Sequence, residues 1–214
     1  MSESLELNRR AASLCDELAA SATQFGVALE RTASGTRLFD CGVNQPGSRE
    51  AGLLLARICL ADLGEVAVVP GEPWPQVVVK TSQPVAACMA SQYAGWEIKG
   101  SDYFAMGSGP MRAASAREPL FEDIGFQESA SRCVGVLEAA QLPPDEVCQE
   151  IAAKCGVTPD GLTLLVARTS SLAGTLQGVA RSVENALHKL HELGFDLLRI
   201  EGVSDTASLP TVDG

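Results

Sequence analysis

Val27-Ala28-Leu29-Glu30-Arg31, Thr32-Ala33-Ser34-Gly35 and Thr36-Arg37-Leu38-Phe39-Asp40 follow one another without interruption. Two extended runs separated by a short gap that contains glycine predict a β-hairpin. On its N-terminal side, Ala11, Leu14 with Cys15, Leu18 and Ala22 recur every three to four residues, which predicts an amphipathic helix over 8–24. Downstream, 50–63 reads as a helix stopped by Gly64. The β-branched runs 66–69 and 77–81 read as strands around the turn-rich Pro70-Gly71-Glu72-Pro73-Trp74-Pro75. Residues 85–93 read as helix, 103–106 as extended, 111–116 as the start of a helix, and 129–140 as a further helix. Pro143-Pro144-Asp145 opens a helix over 146–154 that Gly156 stops, 162–167 is a short apolar strand, and 195–203 is the last strand. A hairpin, single strands and helices interleaved in this way predict an α/β fold with mixed sheets covered by helices. The charged and turn-rich stretch 118–127 suggests a boundary between two domains, 1–120 and 121–214.

The chain has 214 residues, 46% hydrophobic and 20% charged, enough to bury a core in one or two domains. Sixteen Lys and Arg against 27 Asp and Glu leave a formal charge of −11 with no basic run, which argues against a phosphate-backbone partner. The longest apolar stretch, 51–61, is broken by Arg57 and falls short of the roughly 20 residues that span a bilayer. The start, Met1-Ser2-Glu3-Ser4-Leu5-Glu6, is acidic where a secretory signal would be basic and then apolar, so the expected location is the cytoplasm. Seven cysteines with no C-x-x-C pair fit neither a zinc knuckle nor a disulfide framework, and read as reduced, buried, small hydrophobes.

Two segments carry polar residues in a pattern. Over 171–193, closed by Gly194, Leu172, Leu176, Val179, Val183, Leu187, Leu190 and Leu193 form an apolar stripe. Gln177, Arg181, Glu184 and His188 fall in one row on the other side of the same helix. The row is either a solvated face with an Arg181–Glu184 ion pair, or the lining of a cleft in which Glu184 is a base and Arg181 orients it. His188 and His191 lack a third ligand, so no metal is expected. In Tyr103-Phe104-Ala105-Met106-Gly107-Ser108-Gly109-Pro110-Met111-Arg112, a strand runs through Gly-Ser-Gly-Pro into a helix. It is either a simple turn or a place where free backbone N–H groups and Arg112 meet a ligand. It has neither a Walker lysine nor dinucleotide glycine spacing, so neither ATP nor NAD is implied. Asp40-Cys41-Gly42-Val43-Asn44 reads as a turn after a strand.

Taken together, Phe39-Asp40-Cys41-Gly42-Val43-Asn44, Glu50-Ala51-Gly52-Leu53-Leu54, Ser91-Gln92-Tyr93-Ala94-Gly95-Trp96, Phe104-Ala105-Met106-Gly107-Ser108-Gly109-Pro110 and Ala180-Arg181-Ser182-Val183-Glu184 resemble, in order, the methenyltetrahydromethanopterin cyclohydrolase family. The resemblance implies reversible hydrolysis of the methenyl cation of tetrahydromethanopterin to the N-formyl derivative, in the one-carbon metabolism of methanogenesis or formaldehyde oxidation. It implies no metal or nucleotide cofactor, the carrier itself being the substrate. It implies Arg181 and Glu184 as the catalytic pair, and a homotrimer of two-domain α/β subunits with a pocket between the domains. Tyr93, Gly107, Ser108, Gly109, Arg112 and Gln177 become the expected substrate-binding residues. Some archaeal relatives place a lysine where this chain has Tyr93, so that lysine is not carried over. The segment 202–210 resembles one that is followed in longer relatives by a further portion, so the second domain is expected to be incomplete. The competing expectations are an inactive relative that binds a reduced pterin weakly or only scaffolds an oligomer, and a structural protein with a fortuitous polar row. The strand over 195–203 is expected to expose an edge.

Overall fold

A computed structural model describes residues 5–212. In chain order the elements are α1 (Leu7–Ala20), β1 (Ala28–Arg31), β2 (Arg37–Asp40), α2 (Arg49–Cys59), β3 (Glu65–Val69), β4 (Gln76–Thr81), a π-helix (Val85–Gln92), β5 (Trp96–Lys99), β6 (Phe104–Ser108), α3 (Met111–Ser115) and α4 (Leu120–Ile124). There follow β7 (Cys133–Ala139), α5 (Asp145–Cys155), β8 (Leu162–Ala167), α6 (Leu172–Val179), α7 (Ser182–Glu192) and β9 (Val203–Ser208). The fold is α/β with two mixed or antiparallel sheets covered by helices, as the interleaving predicted.

The larger sheet has the order β1-β2-β8-β7-β6-β5, with β2, β8 and β7 parallel and the flanking pairs antiparallel. Its centre is apolar on both faces because successive residues of a strand point to opposite sides. Phe39, Val134, Val136, Leu165 and Ala167 pack under α1 and α2, whereas Leu38, Leu137, Leu164 and Val166 pack under α5. That double burial is why Leu162–Ala167 is a continuous apolar run rather than an alternating one. The smaller sheet, β3-β4-β9, is antiparallel and buries Val77 and Val79 against the π-helix, α4, α6 and α7. No helix among the described residues is long and apolar enough to cross a membrane.

Three expectations are corrected. Residues 129–140 are not helical: Val134 and Val136, β-branched on either side of Gly135, form the buried strand β7. The last strand is β9, not 195–203, which holds only a short 3-10 turn at Leu197–Arg199. Its polar residues, Ser204, Asp205 and Thr206, hid it because β9 is an edge strand that faces solvent. The single helix expected over 171–193 is two helices, α6 and α7, broken at Ala180 and Arg181. Both sheets take strands from either side of residue 120, β8 lying between β2 and β7 and β9 lying beside β4. All seven cysteines are buried and free, with no disulfide.

Candidate active site

The break between α6 and α7 places the candidate side chains Arg181 and Glu184. Ser171 caps α6 by accepting from the Gly174 N–H at 3.1 Å. Gly52 on α2 lets α6 approach closely, since a Cβ there would stand 3.0 Å from Leu176 Cβ and 3.1 Å from Ala173 Cα. The chain turns at Arg181, and α7 carries Glu184 back over that turn, because helical side chains lean toward the N-terminus. Arg181 Nε donates to Glu184 Oε2 at 2.8 Å. On its other side, Arg181 Nη1 donates to Glu138 Oε1 at 2.9 Å.

Glu138 is the residue the sequence reading missed. Along β7 it continues the face of Val134 and Val136 while its neighbours Leu137 and Ala139 face α5. It stands opposite Ala167 near the carboxyl ends of the parallel strands β7 and β8, where open α/β sheets place their ligands. The signal was present as the one charge in an apolar strand, but the helical reading of 129–140 concealed it. Arg181 is thus clamped between two carboxylates, and the three groups together carry one net negative charge.

The polar row is not a solvated face. Glu184 is completely buried and Gln177 is 1% exposed. Burial pushes the Glu184 carboxyl above the usual glutamate range, and the adjacent Arg181 charge only partly offsets this. Burial also opposes the charge on Arg181, but the two carboxylates outweigh that and hold the guanidinium protonated. Glu184 Oε1 makes no hydrogen bond to the protein among the described residues. One carboxylate oxygen is therefore oriented by arginine, and the other is free to accept a proton.

Ser108 joins this neighbourhood through Cys59, whose Sγ lies 3.6 Å from Ser108 Oγ and 3.5 Å from Gln177 Nε2. The donors of the Gly-Ser-Gly segment are spent within the fold. Gly107 and Ser108 pair with β7 as part of β6, and the Gly109 N–H donates to the Ser91 carbonyl at 2.8 Å. Of the two readings of this segment, these bonds match the simple turn. Arg112 is fully buried. Its Nε donates to Glu118 Oε1 at 2.9 Å and its Nη1 to the Met89 carbonyl at 2.8 Å, and its Cζ lies 4.8 Å from the Tyr93 ring centre. Tyr93 is half-buried and stacks on His188 with ring centres 4.5 Å apart. A depression of about 260 Å³ adjoins this stack, lined by Tyr93, Glu118, His188 and His191, and another of about 370 Å³ opens beside Glu138 and Arg168. Asp40 makes a turn, as expected, its carboxylate accepting from the N–H groups of Gly42, Val43 and Asn44.

A family model described as cyclohydrolase (MCH) matches residues 6–214. The chain belongs to the cyclohydrolase (MCH) family. Curated relatives similar to it include the methenyltetrahydromethanopterin cyclohydrolases of Methylobacterium organophilum, 43% identical over 95% of this chain and 66% of that protein, and of Xanthobacter autotrophicus, 45% identical over 93% and 60%. An archaeal relative of the same name, from Methanococcoides burtonii, is 37% identical over 98% of this chain and 67% of its own length. The cyclohydrolase-family chain described here spans less than two thirds of the length of the first two. Within it, the Ala180-Arg181-Ser182-Val183-Glu184 phrase coincides with the helix break that forms the Glu138–Arg181–Glu184 clamp.

Proposed function

We propose that this chain reversibly hydrolyses the methenyl cation of tetrahydromethanopterin to N-formyl-tetrahydromethanopterin. The observation that supports it is a buried glutamate with one oxygen held by Arg181 and the other unpartnered. The substrate carbon lies between two nitrogens that share a positive charge, so it is already an electrophile. What catalysis must add is an oriented water and a group to take its proton. Glu184 Oε1 takes that proton as the water oxygen bonds to carbon, and the electron pair of the C=N bond moves onto nitrogen. Glu184 then returns the proton to the nitrogen that leaves. The C–N bond breaks, the hydroxyl proton is released, and the formyl carbonyl forms.

Arg181 keeps Glu184 oriented throughout, and the single net negative charge of the clamp complements the cation. On this reading no metal or nucleotide cofactor takes part, because the carrier supplies the electrophile. Tyr93 and its stacked His188 lie beside a depression where a flat ring could rest, and Gln177 and Ser108 meet at Cys59. Gly107, Gly109 and Arg112 support this wall from within the fold. The reading places the chain in the cytoplasm as a homotrimer acting on a small molecule in one-carbon metabolism, with no nucleic-acid or membrane partner. The test is loss of the methenyl absorbance on mixing the 214-residue chain with methenyltetrahydromethanopterin, against buffer and Glu184→Gln controls. Glu184-dependent acceleration supports the proposal, and a folded sample that gives none refutes it. Mass in solution reads the trimer.

A further inference from the structure

Glu184 is completely buried, yet the proposed hydrolysis obliges it to discharge a proton. A methenyl cation and water give a neutral formyl compound, so each turnover releases one proton. The first water proton goes to Glu184 Oε1 and on to the leaving nitrogen. The second leaves the hydroxyl oxygen as the C–N bond breaks and the carbonyl forms. Glu184 Oε1, ionised again and without a hydrogen-bond partner among the described residues, is the acceptor beside it. Each cycle therefore closes with a protonated, buried Glu184 that must be returned to its ionised form.

Few groups around it can carry a proton away. Arg181 and Arg112, whose charges act on Glu184, stay protonated and have no acceptor. The Cys88 thiol on the π-helix is pushed up to about 12 by burial and further by the Glu184 charge, and burial raises the Tyr93 hydroxyl above its ordinary value. His188 remains. It stands four residues after Glu184 on α7, a spacing that puts side chains on one face with Cβ atoms about 5–6 Å apart, and helical side chains lean back over the preceding turn. Its ring is stacked on Tyr93 with centres 4.5 Å apart and planes at 20°, but among the described residues no hydrogen bond or ion pair engages its nitrogens. The other polar groups there are engaged, His191 with Asp123 at 3.0 Å and Glu118 with Arg112 at 2.9 Å. His188 is partly exposed and lines the depression of about 260 Å³ beside the stack.

We infer that His188 carries the proton between buried Glu184 and solvent. This deepens the proposed cyclohydrolase reading and rests on it. Once the product has left, the O–H bond at Glu184 Oε1 breaks and an N–H bond forms on the His188 ring, directly or through one water, and the imidazolium then gives a proton to water in the depression. Glu184 is left ionised for the next substrate. In the reverse direction the same steps deliver the proton that ring closure consumes. Burial raises the Glu184 carboxyl toward the range in which imidazole titrates, which brings donor and acceptor closer in proton affinity. The stack on Tyr93 fixes the ring plane and leaves the nitrogen-bearing edge free.

The test uses the same absorbance assay. His188→Phe keeps a ring face against Tyr93 and removes both ring nitrogens. In dilute buffer its kcat is expected to fall about tenfold with KM within about threefold. Free imidazole is expected to restore most of the lost rate, measured above a protein-free blank with the same imidazole, and to leave the kcat of the unsubstituted chain unchanged. A purely structural role for the histidine would not respond to imidazole. Unchanged kcat in His188→Phe, or a lowered kcat that imidazole does not restore, overturns the inference. His188→Gln, read in the same way, serves if the phenylalanine variant does not fold. Turnover by the unsubstituted chain with either negative result refutes His188 alone. No turnover by the unsubstituted chain removes the cyclohydrolase reading and this inference together.

Discussion

Arg181 and Glu138 are 43 positions apart in sequence, yet Arg181 Nη1 lies 2.9 Å from Glu138 Oε1, on the side of the guanidinium away from Glu184. An arginine between two carboxylates is restrained from both sides. Neither carboxylate can rotate away without leaving the other alone on a largely buried cation.

Glu184→Gln removes the proposed proton acceptor while keeping a hydrogen-bonding group of the same shape. The rate of methenyl hydrolysis is expected to fall about 10²- to 10⁴-fold, and a loss of only a few-fold in a folded variant refutes the role of base.

Because burial raises the Glu184 carboxyl, the acid limb of kcat/KM is expected above the range of an ordinary glutamate. Activity falls as Glu184 protonates, so the rate drops toward low pH. Stability has the opposite slope. The folded state holds the proton more tightly than the unfolded chain, so stability is greatest below the unfolded pKa and declines as pH rises through the folded one. Melting of the unsubstituted chain and of Glu184→Gln at several pH values checks this. The variant is expected to melt higher at pH 8, with the gap closing as pH falls toward the ordinary glutamate pKa. An equal or lower melting temperature at pH 8 contradicts it.

Glu138→Gln leaves Arg181 with one carboxylate and makes the clamp neutral. KM for the cationic substrate is expected to rise, because a negative charge that complements it is gone. The acid limb of kcat/KM is expected to move to lower pH as Arg181 turns wholly to Glu184. A pH profile that overlays that of the unsubstituted chain assigns Glu138 to the fold only.

Arg112→Met breaks a buried pair with Glu118 and frees the Met89 carbonyl. A loss of about 3 kcal/mol or more is expected by chemical denaturation, since a charge would be left without its partner. A variant of unchanged stability with raised KM shows instead that Arg112 acts on the ligand.

Local patterns in the sequence determined much of this protein. The hairpin Ala28–Asp40, the helices α1 and α5, the strands β3, β4 and β8, and the reduced cysteines all follow from side-chain periodicity, turn residues and composition, which act over a few neighbouring positions. The spacing of Arg181 and Glu184 placed them on one side of a helix, and the family resemblance singled them out. Tertiary structure alone decided the rest. Cys133–Ala139 became a strand because β6 and β8 supply hydrogen-bond partners on either side and both of its faces meet apolar layers. The break at Ala180 and Arg181, which a continuous leucine stripe concealed, is held by Gln92 from the π-helix. Glu138 reached Arg181 only when β7 was laid beside β8 in the larger sheet. Burial of Glu184, which shifts its proton affinity, likewise required elements distant in sequence to close over it. Short-range periodicity carries no information about which face a sheet or a neighbouring helix covers, whereas desolvation and ion pairing depend on little else.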